Sequence, residues 1–295
     1  MEIRAKNYNQ KSAFLWPDFP GAKPSDAGTK PLINSEQLSG WIKDGYSVIN
    51  NATASTDIEL FLKDVQAGIS DASGEFPISY WDNSGHHYAI ATPELLNKRE
   101  AKILDLHTRL PSAYPLIFAK PTLEFLKCIF KDEVVAFQTL YFEYGSQQGA
   151  HQDTAFVYTD PAYHFAASWI ALEDIKSGTG ELFYYPGSQS LPDLIFSNGS
   201  KALLPGDPDT KNYSAQLEKL SEDHGLHRKT FVPKQSDTLL WSADLIHGGE
   251  ETILPRTRRS FVTHYCPLGA MVPYMRKISK QIKSVDDGAW VVGQY

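Results

Sequence analysis

The stretch Gly149-Ala150-His151-Gln152-Asp153-Thr154 sets an imidazole and a carboxylate two residues apart. In an extended strand that spacing puts both side chains on one face, roughly 6 to 7 Å apart along the backbone. A histidine nitrogen and a carboxylate oxygen so placed can share one metal ion if a third ligand arrives from elsewhere. Two histidines and one carboxylate on one face of an octahedron suit non-haem Fe(II) and leave positions open for O2 and a cosubstrate. The spacing alone is not specific. With 9 His and 35 Asp plus Glu in 295 residues, about one His-x-Asp/Glu arises by chance. A surface His-Asp pair at a strand end also accounts for it.

A third ligand must come from the other histidines: His86, His87, His107, His164, His224, His227, His247 or His264. His247 follows the strand-like DTLLW and precedes Gly248 and Gly249. Glycines there let backbone approach closely, as at a barrel mouth; a surface-loop histidine is the alternative. Arg258 stands eleven residues further on, between Arg256 and Arg259, where the strand-like RRSFVTHYC opens. A buried guanidinium needs a partner. A dicarboxylate supplies one through two parallel hydrogen bonds, and Glu250 or Glu251 would supply one at the surface. Strand alternation puts Arg256, Arg258, Ser260 and Val262 on one face and Arg259, Phe261 and Thr263 on the other, so one arginine can face in while its neighbour faces out.

The elements that must position these residues change in texture along the chain. Residues 1–33 carry several Pro and Gly and little periodicity, which predicts an extended arm, wrapped or mobile. Residues 34–133 read as mostly helical support. Asn34 with Gln37 forms a capping-box pattern for a helix ending at Gly45, and YSVIN then reads as a strand. Thr56 with Glu59 predicts a cap for a second helix carrying Ile58, Phe61, Leu62, Val65 and Ile69. Thr92-Pro93 predicts a third through Leu95, Leu96, Ile103 and Leu104, and Pro121 a fourth. From Val134 to Cys266, β-branched and aromatic runs dominate: VVAFQTLYFEY, AFVY, HFAASWIAL, ELFYY, KTFVP, DTLLW and RRSFVTHYC. Helices feeding a series of strands give an α+β chain, mainly β in its core, arranged as a sandwich or jelly roll. A polar segment begins at 197, and 197–226 reads as an insert or lid. Residues 267–295 form a C-terminal extension, and the whole of 1–295 reads as one domain.

Composition narrows the partners. A formal charge of -7 argues against nucleic acid or an anionic membrane as the main partner and does not exclude a local basic pocket for an acidic small molecule. Two cysteines, Cys128 and Cys266, without C-x-x-C spacing, argue against a disulfide framework and for a reducing, cytoplasmic setting. Apolar signal or membrane-spanning runs are absent from the sequence.

The ordered set GAHQD, SWIALED, GELFYYPGSQ, DTLLW, LIHGG and RRSFVTHY resembles the phytanoyl-CoA dioxygenase family of Fe(II)/2-oxoglutarate-dependent oxygenases across residues 134–266. The resemblance implies a double-stranded β-helix (a cupin-like jelly roll) flanked by N-terminal helices. It implies iron on His151, Asp153 and His247, with Arg258 holding the far carboxylate of 2-oxoglutarate. Trp169 and Gln138 take positions that contact cosubstrate in relatives. The activity implied is O2-dependent hydroxylation of an unactivated C–H bond with release of succinate and CO2. Desaturation or cyclisation by the same centre, and a non-catalytic jelly roll that binds a sugar or other small ligand, are the alternatives.

Two departures stand out: Gln189 replaces a His frequent after Pro-Gly-Ser, and Gly249 replaces a Ser two positions beyond the distal histidine. Relatives that halogenate lack the carboxylate, so Asp153 favours oxygenation over halide transfer. Both histidines must be neutral to ligate, so iron affinity is expected to fall in mild acid. Tyr158 and Tyr163 are substrate-pocket candidates, as are Phe165 and Tyr184, with core packing the competing role. His164 and His264 read as core residues, and His86-His87 as a solvated loop.

Overall fold

The computed structural model describes residues 1–28, 33–70, 73–204, 206–272, 281–286 and 288–293. A short strand β1 (Glu2–Arg4) opens the chain. Helix α1 (Ser35–Asp44) starts where the capping pattern predicts: Asn34 accepts from the Gln37 N–H and the Gln37 side chain accepts from the Asn34 N–H. It ends on Gly45 at φ +77°, a conformation that glycine adopts without strain. Strand β2 (Tyr46–Ile49) follows directly. Helix α2 (Ser55–Ser70) begins one residue before Thr56, so Thr56 lies within its first turn and is not the cap. Its buried stripe is Ile58, Phe61, Val65 and Ile69.

The expectation of mostly helix for 34–133 needs correction. Strands β3 (Pro77–Asp82) and β4 (Gly85–Ile90) form a hairpin whose turn is fixed by the Asp82 carboxylate accepting from the Ser84 N–H at 2.8 Å. The stretch after Thr92-Pro93 makes turns, and Arg99–Leu104 is strand β5. Ile103 is buried opposite Ile78 and Tyr141 across β5, so cross-strand pairing overrides the short helical pattern. A short helix α3 (Tyr114–Ile117) and α4 (Lys120–Phe130), with Pro121 in its first turn, lead into β6 (Val134–Phe142). Then come β7 (Ala166–Ala171), β8 (Leu182–Tyr184) and β9 (Asp193–Ile195). Helix α5 (Tyr213–Asp223) precedes β10 (Lys229–Phe231), β11 (Thr238–Ser242), β12 (His247–Gly249) and β13 (Ser260–Pro267). Strands β14 (Gln281–Asp286) and β15 (Ala289–Gly293) close the described chain. The AFVY run is not a strand, because Asp153–Ala155 turns as a 3-10 helix.

Among the described residues the large sheet runs β2-β11-β7-β13-β6-β5-β3-β4, extended by β15 alongside β6 and β14 alongside β15. A smaller sheet runs β10-β8-β12. Alternation along each strand sorts residues between two cores. On β11, Leu240 packs outward with Trp41, Ile58, Phe61 and Phe125 of the helices. Leu239 and Trp241 pack inward with Trp169 and Val262 of the large sheet and with Leu182 and Tyr184 of the small one. The result is a jelly roll with helices covering one face. No helix among the described residues is long and apolar enough to cross a membrane.

Both the arm and the insert are docked on this core. In the insert, α5 buries Tyr213, Leu217 and Leu220 against Phe196 and Ile246. Lys6 of the arm and Lys201 of the insert reach the same two carboxylates. Lys6 pairs with Asp193 at 2.6 Å and with Asp244, and Lys201 pairs with Asp193 at 2.6 Å and Asp244 at 2.7 Å. The Lys6 side chain is only 3% exposed. Removing one member of a buried ionic cluster strands its partner charges. Lys6→Met is therefore expected to lower unfolding free energy by about 3 kcal/mol, measured by urea melts; an unchanged midpoint would show that the arm contributes nothing to stability.

Candidate metal centre

His151, Asp153 and His247 converge, with one ligand atom from each within 4.8 Å of the others. The two histidines meet through a reciprocal backbone pair: the His151 N–H donates to the His247 carbonyl at 2.8 Å, and the His247 N–H returns the bond at 2.9 Å. His247 is thus a strand residue on β12 and not a loop residue. Each imidazole is oriented by a carbonyl two residues back. His151 Nδ1 stands 2.9 Å from Gly149 O and His247 Nδ1 2.9 Å from Leu245 O. A carbonyl only accepts, so both rings carry their proton on Nδ1 and present a bare Nε2 inward.

Asp153 does not continue a strand from His151. The 3-10 turn over Asp153–Ala155 brings its Oδ1 to 4.0 Å from His151 Nε2 and 3.6 Å from His247 Nε2. Its Oδ2 accepts from the Trp241 indole N–H at 2.8 Å and lies 3.4 Å from His264 Nε2. Burial opposes the Asp153 charge, but the imidazoles of His247 and His264 favour it, and its pKa lies below the usual carboxylate range. Burial and the neighbouring His247 push His151 down to about 3.

Arg258 lines the same cavity, together with Leu140, Phe142, Trp169, Leu182 and Val262. It is 2% exposed, donates from Nη1 to Ser260 Oγ at 2.8 Å, and leaves Nε buried without a partner. Burial lowers its pKa to about 10, partly countered by Glu181 and Glu173. Trp169 and Phe142 present ring faces 5.4 and 5.6 Å from the guanidinium. Arg259 points the other way, its Nε 2.8 Å from Glu143 Oε1, and Arg256 is exposed. Alternation therefore selects Arg258 as the inward cation, and Glu143 rather than Glu250 or Glu251 takes its neighbour. Gln138 stands opposite His264 across the β6–β13 pair, two residues before the cavity-lining Leu140.

Other residues fall differently. Tyr163 is not at this cavity: its hydroxyl donates to Asp193 at 2.8 Å, and its ring stacks on Phe14 beneath the arm. A larger cavity of about 220 Å³ lies there, lined by Lys6, Phe14, Tyr163 and Ser242. Ser242 faces it because Trp241, one residue earlier, faces the candidate metal centre. Tyr158 is exposed, as is Phe156, whose ring stands edge-on 5.7 Å from His151. Phe165 and Tyr184 are buried packing residues. His86 and His87 lie on β4, stacked on Trp81 and bonded to Asp82 respectively. Gln189 turns away, donating to the Lys43 carbonyl at 3.2 Å. A Cβ at Gly249 would meet Ser146 Oγ at 2.6 Å, so a cavity-lining serine from another loop occupies the space of the expected one.

Sequence reasoning missed Trp241 as a site residue and assigned His264 to the core. His264 is a β13 strand residue, as expected, but it lines the cavity. A usable signal existed for Trp241, since an indole in a buried strand needs an acceptor for its N–H.

His151 also fixes a pH response. An unfolded histidine takes up a proton near pH 6.5, whereas folded His151 stays neutral down to about 3. The unfolded state binds the extra proton throughout that window, so stability falls as pH drops from about 6.5. The metal-free protein is expected to lose melting temperature between about pH 6.5 and 4, and His151→Gln to flatten that slope. Parallel slopes in the two proteins would overturn the assignment.

The family model for phytanoyl-CoA dioxygenase (PhyH) matches residues 41–260. Phytanoyl-CoA dioxygenase 1 of Oryza sativa subsp. japonica is 32% identical over 123 residues, 41% of this chain and 39% of that protein. Phytanoyl-CoA dioxygenase domain-containing protein 1 of Rattus norvegicus is 24% identical over 137 residues, 44% of each. The chain therefore spans less than half the length of these curated relatives. EctD from S. alaskensis with 2-oxoglutarate and 5-hydroxyectoine aligns with a TM-score of 0.60 at 18% identity, over 90% of this chain and 83% of that one. The non-heme alpha ketoglutarate dependent carbocyclase SnoK from nogalamycin biosynthesis aligns at 0.61 and 13% identity, over 85% and 88%. At such identities the likeness establishes the fold, and the family follows from the model match over most of the sequence: this chain belongs to the phytanoyl-CoA dioxygenase family.

Proposed function

We propose that the protein is a non-haem Fe(II)/2-oxoglutarate-dependent dioxygenase that hydroxylates an unactivated C–H bond of a small-molecule metabolite. The observation that carries this reading is the pairing, in one buried cavity, of two inward Nε2 atoms and a carboxylate with a guanidinium whose Nε has no partner. The donor set fits Fe(II), and the orphaned Arg258 Nε fits a carboxylate that completes its hydrogen bonding. In this reading His151, Asp153 and His247 hold the metal, and Arg258 holds the far carboxylate of 2-oxoglutarate. Trp169 walls the cosubstrate pocket, and Gln138 borders it. When bound, iron, 2-oxoglutarate and O2 supply the oxidation, with succinate and CO2 released.

The protein's own contribution is placement and dryness. Carbonyl-anchored rings keep both histidines in the ligating tautomer, and the apolar lining of Leu140, Phe142, Leu182 and Val262 excludes water. In this reading substrate approaches past Phe156, which is exposed with its ring edge-on to His151, and the exposed Tyr158 two residues on is a further candidate contact. A reducing, cytoplasmic setting accords with the burial of both cysteines, Cys128 and Cys266. Asp153 supports oxygen insertion over halide transfer. Similar folds include an epimerase and a carbocyclase, so product analysis decides the outcome: hydroxylation adds one oxygen, whereas desaturation or cyclisation removes two hydrogens.

Anaerobic addition of Fe(II) and 2-oxoglutarate is expected to produce a weak visible charge-transfer band. Asp153→Ala is expected to abolish iron binding with the fold retained. Arg258→Ala is expected to raise the 2-oxoglutarate concentration for half-saturation by roughly 10- to 100-fold. Wild-type protein showing neither band nor iron-dependent succinate release would sink the oxygenase reading.

A further inference from the structure

Trp241 is held on β11 between Ala167 of β7 and Tyr46 of β2, facing inward and 2% exposed. An indole N–H in such a site needs an acceptor. The acceptor is Asp153 Oδ2 at 2.8 Å, while Oδ1 of the same carboxylate faces both Nε2 atoms. The indole also packs 5.0 Å from the His247 ring, so one side chain touches two of the three candidate ligands. His264 stands on the same side of the carboxylate, 3.4 Å from Oδ2. It is 3% exposed, stacked on Phe137, and neither ring nitrogen has a hydrogen-bond partner of good geometry. The carboxylate is thus divided: one oxygen is directed at the imidazoles of His151 and His247, and the other accepts from the indole on β11 with the His264 ring of β13 beside it.

We propose that Trp241 is a positioning residue for the metal centre, holding Asp153 Oδ2 through its indole N–H with His264 as the weaker second donor. Asp153 is thereby restricted to a single-oxygen ligand. The inference rests on reading His151, Asp153 and His247 as iron ligands, and it explains a requirement of that reading. Six coordination positions, less three for protein, two for a 2-oxo acid and one for O2, leave none for a second carboxylate oxygen. An unheld carboxylate is free to rotate and chelate. An orienting partner of this kind typically contributes 10- to 100-fold to metal affinity.

The test compares wild-type protein with Trp241→Phe, His264→Phe and a wild-type-shaped control. In the control, site-specific incorporation at position 241 places a tryptophan isostere with sulfur in place of the N–H. The isostere keeps the packing, so it remains informative if Trp241→Phe does not fold. Fe(II) affinity is measured by chelator competition, the anaerobic 2-oxoglutarate band by absorption, and fold by circular dichroism. A metal-free reading comes from ¹H–¹⁵N spectra, in which the Trp241 indole N–H resonance is expected downfield and shifted by Asp153→Asn. The isostere is expected to bind iron about 10- to 100-fold more weakly and to move the band, with His264→Phe losing less. If the isostere binds iron with wild-type affinity and an unmoved band, Trp241 only fills space and the proposal falls. A larger loss in His264→Phe than in the isostere overturns the ranking of the two donors. Absence of iron binding in wild type instead defeats the underlying metal assignment, so the two failures are distinguishable.

Discussion

The reciprocal backbone pair between His151 and His247 is the constraint on which the site depends. Those residues lie far apart in sequence, and the fold lays His151 as a single bridging residue beside β12 of the small sheet. The pair sets the two rings 4.3 Å apart at 52°, with each Nδ1 already engaged by its own chain. Gly248 follows His247 because the approach leaves no room: a Cβ there would meet the Phe183 ring at 2.5 Å and the Gln148 carbonyl at 2.9 Å. The metal motif is therefore as much a statement about backbone proximity as about side-chain chemistry.

Around that pair, buried polar groups join parts of the chain that share no secondary structure. Asp244, three residues before His247, accepts from Lys6, Lys201 and Thr154, and its carbonyl accepts from the Gln152 side chain. Thr154 and Gln152 flank Asp153 on either side. The N-terminal arm and the insert thus bear on the loop that carries the carboxylate. Burial opposes the Asp244 charge, and the two ammonium groups more than offset it, so it stays ionised. Such a cluster demands that every member be present, which gives the arm a structural role that its composition did not announce.

Much of the framework was legible in the residues. The capping pair Asn34–Gln37, the α2 stripe, Pro121 at the start of α4 and the long strands after Val134 all form as local chemistry predicts. The failures are instructive. Residues 95–104 carried apolar spacing short enough to suit a helix, yet Ile103 is satisfied better by Ile78 and Tyr141 across a sheet. AFVY has strand-forming residues, but the turn that aims Asp153 consumes its start. Tyr163 was close to the metal motif in sequence and is bonded to Asp193 beneath the arm in space.

By itself the sequence determined which groups could do chemistry. The His-x-Asp pair, the distal histidine beside two glycines, the arginine eleven residues on and the parity that turns Arg258 inward and Arg259 outward are all readable from residue type and period. Tertiary structure alone decided what those groups touch. It turned Asp153 so that its two oxygens serve different partners, brought Trp241 and His264 to the outer one, and moved Tyr163 away. The physical reason is range. Periodicity and capping act over a few residues of one segment, whereas a carboxylate's second hydrogen bond is made by whichever strand the fold lays beside it, here β11 and β13, 88 residues and more along the chain.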